Sequence, residues 1–318
     1  MMQPVVSIRC LVFNQEKYIR QCLDGIVSQE TNFHFEAIVH DDASTDGTAD
    51  IIREYAQMYP DIIKPILETE NQYSKYDGSI RRIMNGACTG KYIAYCEGDD
   101  YWTDSLKLQK QVDILETDTD IMMVYTGFQT VDENGNVVCR YDFDYNMQTS
   151  KSGYVFDKLL YRNVVMTVSS IFRREVFLSE YIMESPNNLD YLIFMCAAAK
   201  GKVVYLPEKT CCYRKHAASA TNTNSKKIQE KVLDVITYFT NMYISGRIEM
   251  DNVHHYKVRI GIIAKGIDLW LKKQDREYIY NFLKLSPSLW FYLVPGVIQE
   301  CYYLFSYYFR KTFCCRYE

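Results

Sequence analysis

The chain has 318 residues, 48% hydrophobic and 24% charged, which is enough to bury a full core and too long for one small domain. A formal net charge of −4, from 36 basic and 40 acidic side chains, excludes a dedicated nucleic-acid binder, whose affinity rests on clustered Lys and Arg. Its 11 cysteines form no C-x-x-C pair, so packed, reduced thiols are expected rather than a zinc or dithiol redox centre.

Met1-Met2-Gln3-Pro4 has no charged start, apolar run or small-residue cleavage site, and no export signal is expected. Val5 to Phe13 is an apolar, β-branched run that predicts a first strand. Ile19, Cys22, Leu23, Ile26 and Val27 then recur at helical spacing over about residues 17–29. A second strand, Phe35 to His40, ends in Asp41-Asp42, and a second helix with Ile51, Ile52, Tyr55 and Tyr59 on one face closes at Pro60. A third strand over about residues 62–68, a helix over 79–88 and a fourth strand, Tyr92 to Cys96, follow. Successive β-α-β units of this kind predict a parallel, right-handed sheet.

Beyond Trp102 a helix is predicted, capped by Thr103 or Asp104, with Leu108, Val112 and Leu115 inward. A strand over 121–128 leads to a tight turn at Asn134-Gly135, and an aperiodic stretch over 140–151 reads as a mobile loop. "YVFDKLLYRN", "TVSSIFRR", a helix over 190–200 and a strand "KVVYLP" complete one domain, 1–216. It divides at about residue 102 into two halves, 1–102 and 103–216. A polar linker over 217–225 precedes a helical region, 226–318, with apolar faces at Ile228, Val232, Val235, Ile236, Phe239 and at Val253, Tyr256, Ile260, Ile263, Ile267, Trp270.

In an open parallel sheet, ligands bind in the crevice beyond the carboxyl ends of the strands. Three strands of this chain end in polar groups at that edge: Asn14, then Asp41-Asp42, then Glu97-Gly98-Asp99-Asp100. Crowded carboxylates are costly unless a cation or hydrogen-bond donors compensate them. Hard divalent ions, Mg²⁺ or Mn²⁺, take oxygen ligands and usually carry phosphate with them. An isolated acidic stretch is usually a solvated loop. Its placement at the end of a core strand, matched by Asp41, favours a metal-phosphate site.

Four segments, "VSIRCLVFNQEKYIRQCLDGIVSQ", "EAIVHDDASTDGT", "GKYIAYCEGDDYW" and "NLDYLIFMCAAAKGKVVYLPEKTCCYRKH", together resemble the inverting family 2 glycosyltransferases of bacterial polysaccharide biosynthesis, over about residues 4–219. The resemblance implies the GT-A nucleotide-diphospho-sugar fold, an α/β, mostly parallel Rossmann-like sheet with flanking helices, with about 1–102 as its nucleotide-sugar half and about 103–216 as its acceptor half. It also implies transfer of a sugar from a nucleotide-diphosphate donor, with uridine expected, to a hydroxyl of a glycan or lipid-linked glycan. By the same resemblance, Val12 and Asn14 line the nucleotide pocket, Asp41 accepts a hydrogen bond from uracil, and Asp42 contacts the donor or caps the following turn. Asp99 is the metal ligand, with Mn²⁺ or Mg²⁺ as cofactor, while Glu97 and Asp100 sit near ribose, sugar or metal-bound water. Asp190 is the catalytic base, and Arg214 and His216 close over the diphosphate. Two departures from the family pattern stand out: Leu11-Val12 replaces the usual proline-containing pair, and Glu97 replaces an aspartate.

Two rival readings follow from the same residues. A sugar-nucleotide nucleotidyltransferase would carry an early glycine-rich basic stretch, which "VFNQEKYI" lacks; a catalytically inactive sugar-binding homologue is the other. The stretch from Leu289 to Phe309 is long enough to span a bilayer, but Pro295-Gly296 and Gln299-Glu300 interrupt it. An interfacial helix suits it better, with Arg310, Lys311 and Arg316 near anionic headgroups, and packing on the protein's own body is the competing reading. The expected location is the cytoplasm, peripheral on the inner face of the cytoplasmic membrane.

Overall fold

The computed structural model describes residues 3–75, 77–138, 152–185, 190–217, 219, 225–250, 252–271, 291–292 and 294–301. Two compact units make up the chain: one of residues 1–140, 151–153 and 165–225, the other of 141–150, 154–164 and 226–318.

The first unit is built on an eight-stranded sheet: β1 (Val6–Val12), β2 (Phe35–Asp41), β3 (Ile63–Leu67), β4 (Tyr92–Tyr95), β5 (Tyr101–Trp102), β6 (Ile121–Val131), β7 (Ser170–Arg173) and β8 (Lys202–Arg214), in the order β3-β2-β1-β4-β7-β6-β8-β5. The first four strands are mutually parallel, as are β6 and β8, while β7 runs antiparallel between β4 and β6 and β5 antiparallel to β8. β1 is buried at nearly every position, as expected of a central parallel strand covered on both faces. Helix α1 (Ile19–Val27) buries Ile19, Cys22, Leu23 and Ile26 at helical spacing. Helix α2 (Thr48–Met58) starts where the Asp46 carboxylate accepts the Thr48 amide at 3.0 Å. Helices α3 (Ser79–Ala87) and α4 (Lys107–Thr117) complete the flanks of the first half.

Three features differ from the sequence expectation. The two aromatics after the acidic loop form a short edge strand, β5, so α4 starts at Lys107, with Asp104 Oδ1 accepting the Leu106 amide at 2.9 Å. β8 runs thirteen residues, through Pro207 and past a register irregularity, instead of ending at "KVVYLP". Helix Phe156–Tyr161, read as part of the first domain, belongs to the second unit.

In the second unit, helices Ser225–Ile244 and Asn252–Leu271 are joined by helix Phe156–Tyr161. Phe156 meets Phe239 edge-on at 6.0 Å, and Gly261 lets the Asp157 carbonyl approach where a Cβ would lie 3.0 Å away. No described helix is long and apolar enough to cross a membrane. The stretch 140–151, most of the 217–225 linker, the Trp270 side chain, much of 289–309 and the tail cations Arg310, Lys311 and Arg316 lie outside the described residues. The eight described cysteines are free thiols, seven of them buried.

Candidate active site

β1 lies between β2 and β4, so the chain leaves the centre of the sheet in both directions from it, and the crevice opens at its carboxyl end. The backbone there ties two loops together. The Val12 carbonyl accepts the Asp42 amide at 2.9 Å, and the Leu11 carbonyl accepts the Gly98 amide at 3.1 Å. The crossing at Gly98 is tight: a Cβ there would displace Gln15 Oε1 and lie 3.0 Å from Val12 Cγ2.

On the β2 side, Val12 pairs in register with Asp41 and Asn14 adopts a left-handed backbone with φ 51°. Asn14 donates its amide to Ser44 Oγ at 2.8 Å, and its Oδ1 accepts the Thr45 amide at 2.8 Å. Both Asp41 oxygens accept from Ser44, Oδ2 from the amide at 3.2 Å and Oδ1 from the hydroxyl. Asp42 is buried, with Oδ1 accepting the Gln72 amide at 2.6 Å and Oδ2 the Tyr73 amide at 3.0 Å. Its carboxylate therefore caps a turn, but the one after β3 rather than the one that follows it in sequence.

On the β4 side, Glu97, Asp99 and Asp100 each offer an oxygen, and these atoms lie within 4.8 Å of one another. Asp100 is buried, while Glu97 and Asp99 are half-buried. Burial, then the charges of Asp190 and Asp99, push the Glu97 carboxyl well above the ordinary carboxylate range. Asp100 is pushed the same way by burial and by Asp99 and Glu97. Among the described residues, only part of this charge is answered. Asp100 Oδ1 accepts the Arg214 amide at 2.7 Å, and Asp99 Oδ2 lies 3.0 Å from His216 Nε2. Three converging carboxylates with oxygens that no hydrogen bond among the described residues engages fit a hard divalent cation, with Asp99, Asp100 and Glu97 to hold it.

Arg214 is 3% exposed and braces this loop. Its Nε donates to the Asp99 carbonyl at 2.9 Å and its Nη2 to Gln21 Oε1 at 2.6 Å; Nη1 reaches the carbonyls of Asp132 and Glu133, each at 3.3 Å. The guanidinium also stacks over Tyr18 at 4.8 Å and Tyr101 at 5.2 Å. Tyr18 packs on the His216 ring at 5.0 Å as well.

Asp190 opens helix Asp190–Lys200, and its Oδ2 accepts the Thr167 hydroxyl at 3.1 Å. Burial raises its carboxyl, while the Thr167 bond and the Arg9 charge pull it back. The helix is seated by Phe194, which stacks on Phe172 at 6.0 Å. Phe172 in turn meets Tyr95 of β4 edge-on at 6.1 Å. Asp190 thus acts electrostatically on Glu97, far away in sequence.

The predicted site residues fall into two groups joined at the end of β1: Val12, Asn14, Asp41 and Asp42 on one side, and Glu97, Asp99, Asp100, Arg214 and His216 on the other, with Asp190 coupled to the second. Sequence reasoning missed Ser44, Thr167, Tyr18 and Arg9. Arg9 alone left a signal, a charge inside the apolar run "VSIRCLV". Its guanidinium lies 5.4 Å from the Tyr95 ring and 5.5 Å from that of Phe177, and its Nη1 donates to Asn85 Oδ1 at 2.8 Å.

Comparison with known proteins bears on this arrangement directly. The model of the family described as "Glycosyl transferase family 2" matches residues 7–178. An uncharacterised protein of Mycobacterium tuberculosis is 32% identical over 272 residues, 85% of this chain and 74% of that protein. The chondroitin synthase of Escherichia coli is 27% identical over 227 residues, 71% of this chain and 30% of the synthase. S. aureus TarS 1–349, solved in complex with UDP-GlcNAc, is similar with a TM-score of 0.54 at 15% identity, over 87% of this chain and 89% of that one. A likeness at that identity speaks for the GT-A-like fold alone. The match to the family model, running from β1 past β7, takes in the end of β1 and both loops it joins, and by that match the chain belongs to glycosyl transferase family 2 and is a glycosyltransferase.

Proposed function

We propose that the protein is an inverting, metal-dependent glycosyltransferase that moves a sugar from a UDP-sugar to a hydroxyl of a glycan or lipid-linked glycan. It would serve cell-surface polysaccharide synthesis at the inner face of the cytoplasmic membrane. The observation that carries this reading is the junction at the end of β1, where one short backbone segment holds both the Asn14–Asp41–Ser44 network and the loop bearing Glu97, Asp99 and Asp100. Support for a uridine donor comes from TarS, solved with UDP-GlcNAc; support for a polysaccharide product comes from the chondroitin synthase and from a putative teichuronic acid biosynthesis glycosyltransferase of Bacillus subtilis, 29% identical over 133 residues.

The chemistry follows from the side chains. Asp41, held by Ser44 with Asn14 beside it, presents acceptors to a base edge at the mouth of β1 and β2. Bound Mn²⁺ or Mg²⁺, held by Asp99 with Glu97 and Asp100, would supply Lewis-acid stabilisation for the charge developing on the leaving diphosphate. Arg214 fixes the acidic loop from behind, and His216 holds Asp99 in place. Asp190 takes the proton of the attacking acceptor hydroxyl as the new glycosidic bond forms and the bond to the diphosphate breaks. One base on the face opposite the leaving group gives single displacement with inversion at the anomeric carbon, through an oxocarbenium-like transition state.

The test is nucleotide release from a panel of UDP- and GDP-sugars with Mn²⁺, followed by the anomeric configuration of the product by NMR. Asp190→Asn should lower turnover by about 10²–10⁴-fold while leaving nucleotide affinity within about twofold. Wild-type turnover in the Asn variant would remove Asp190 from the role, and a retained anomeric configuration would overturn single displacement.

A further inference from the structure

The helical residues 294–301, in the second unit, carry their apolar side chains outward. Val294, Val297 and Ile298 are 70%, 45% and 63% exposed, and Phe291 just before them is 84% exposed. With Cys301, also exposed, positions 294, 297, 298 and 301 fall on one helical face. The opposite face is seated on the protein. Gly296 lies against Ile263 and Ala264, and buried Glu300 accepts the hydroxyl of Tyr161. Burying the glutamate and exposing the valines and isoleucine inverts the pattern of a water-facing helix. Exposed apolar area of this kind is unfavourable in water and marks an interaction surface.

The border of the patch is aromatic and basic. Tyr256, half exposed on helix Asn252–Leu271, has its ring 5.5 Å from that of Tyr292. Arg259 Nη1 donates to the Tyr292 hydroxyl at 3.3 Å, and Lys257 is exposed beside Tyr256. Apolar centre, tyrosine border and cations at the rim reproduce the layers of a lipid–water interface, from acyl chains through the aromatic belt to anionic headgroups. The sequence beyond Cys301 keeps this composition, with Tyr302, Tyr303, Leu304 and Phe305 ahead of Arg310 and Lys311.

We propose that this face docks on an anionic bilayer surface, with Phe291, Val294, Val297 and Ile298 among the acyl chains and Lys257 and Arg259 level with anionic headgroups. The inference rests on the membrane location in the reading above and specifies its docking face, but it uses no residue of the donor or metal site. The rim cations Lys257 and Arg259 complement anionic headgroups, which makes a lipid surface the occupant of this face.

The experiment is co-sedimentation of the full chain with vesicles of phosphatidylcholine alone or with about one-third phosphatidylglycerol. Wild type should pellet with the anionic vesicles. Val294→Ser/Ile298→Ser should lower that partitioning at least about tenfold, and Lys257→Gln about fivefold on anionic vesicles only. Both variants change exposed positions and should keep the wild-type melting temperature. Wild type remaining in the supernatant, or the double variant pelleting equally well, overturns the proposal. So does a lipid-free dimer in sedimentation velocity that the double variant returns to monomer, which would place a second copy on the face. No donor or acceptor enters the assay, so failed docking leaves sugar transfer standing and failed transfer leaves the docking result standing.

Discussion

The two loops that meet at the end of β1 are built on opposite electrostatic principles. The loop after β2 answers its own carboxylate: Asp41 accepts twice from Ser44, and Asn14 bridges to Ser44 and Thr45. The loop after β4 leaves three carboxylates facing one another, with Glu97 and Asp100 pushed toward their protonated forms. One loop is a finished surface, shaped before any ligand arrives. In the function proposed above, a cation completes the other. Substitutions in the first should therefore cost stability, whereas neutralising the second should add stability and remove ion binding.

The largest stability effect belongs to the brace behind the acidic loop. Arg214→Met should destabilise by about 3 kcal/mol in denaturant unfolding, because the part-buried carbonyls of Asp99, Asp132 and Glu133 and the Asp100 environment lose a buried cation. A loss below about 1 kcal/mol would show that the acidic loop holds itself without that brace. Next comes Ser44→Ala, expected to cost about 1 kcal/mol and to weaken nucleotide binding, since Asp41 and the Asn14 amide both lose the Ser44 hydroxyl. Unchanged stability and affinity would erase the contrast from the β2 side. Smallest, and opposite in sign, is Glu97→Gln. It removes a desolvated charge facing Asp190 and Asp99, so the metal-free protein should gain up to about 1 kcal/mol while its response to Mn²⁺ falls. A destabilised Gln variant would mean that the Glu97 charge is already compensated.

Much of the catalytic half was legible because its signals are local. Apolar β-branched runs alternating with 3.6-residue periodicity place β1 to β4 and their helices, and polar groups at strand ends place the crevice. Longer-range features left weaker traces. Tyr101-Trp102 is too short a strand to show a period of two, and its pairing with Cys211 and Cys212 depends on β8 continuing past the exposed residues Pro207 to Lys209. Asp42 looked like a cap for the next turn because sequence proximity is all that sequence offers, yet its partners Gln72 and Tyr73 arrive from beyond β3. Arg214 reads from sequence as a phosphate contact. Its partner Gln21 sits on α1, nearly two hundred residues earlier, and only the folded chain shows the guanidinium enclosed by protein groups.

The account turns on the carboxylates of the β4 loop forming a cation site, and a melting-temperature titration with Mn²⁺ at several pH values tests it most directly. Glu97 and Asp100 have folded-state affinities for protons above those of the unfolded chain. As pH rises above the ordinary carboxylate range, the unfolded chain has released these protons while the folded chain still binds them. Metal-free stability should therefore fall through that window. Mn²⁺ competes with those same protons, so its stabilising shift should grow from about pH 5 to about pH 7.5 and should vanish in Asp99→Ala. A shift that is absent, independent of pH, or equal in Asp99→Ala would contradict the cation site and with it the proposed route of sugar transfer.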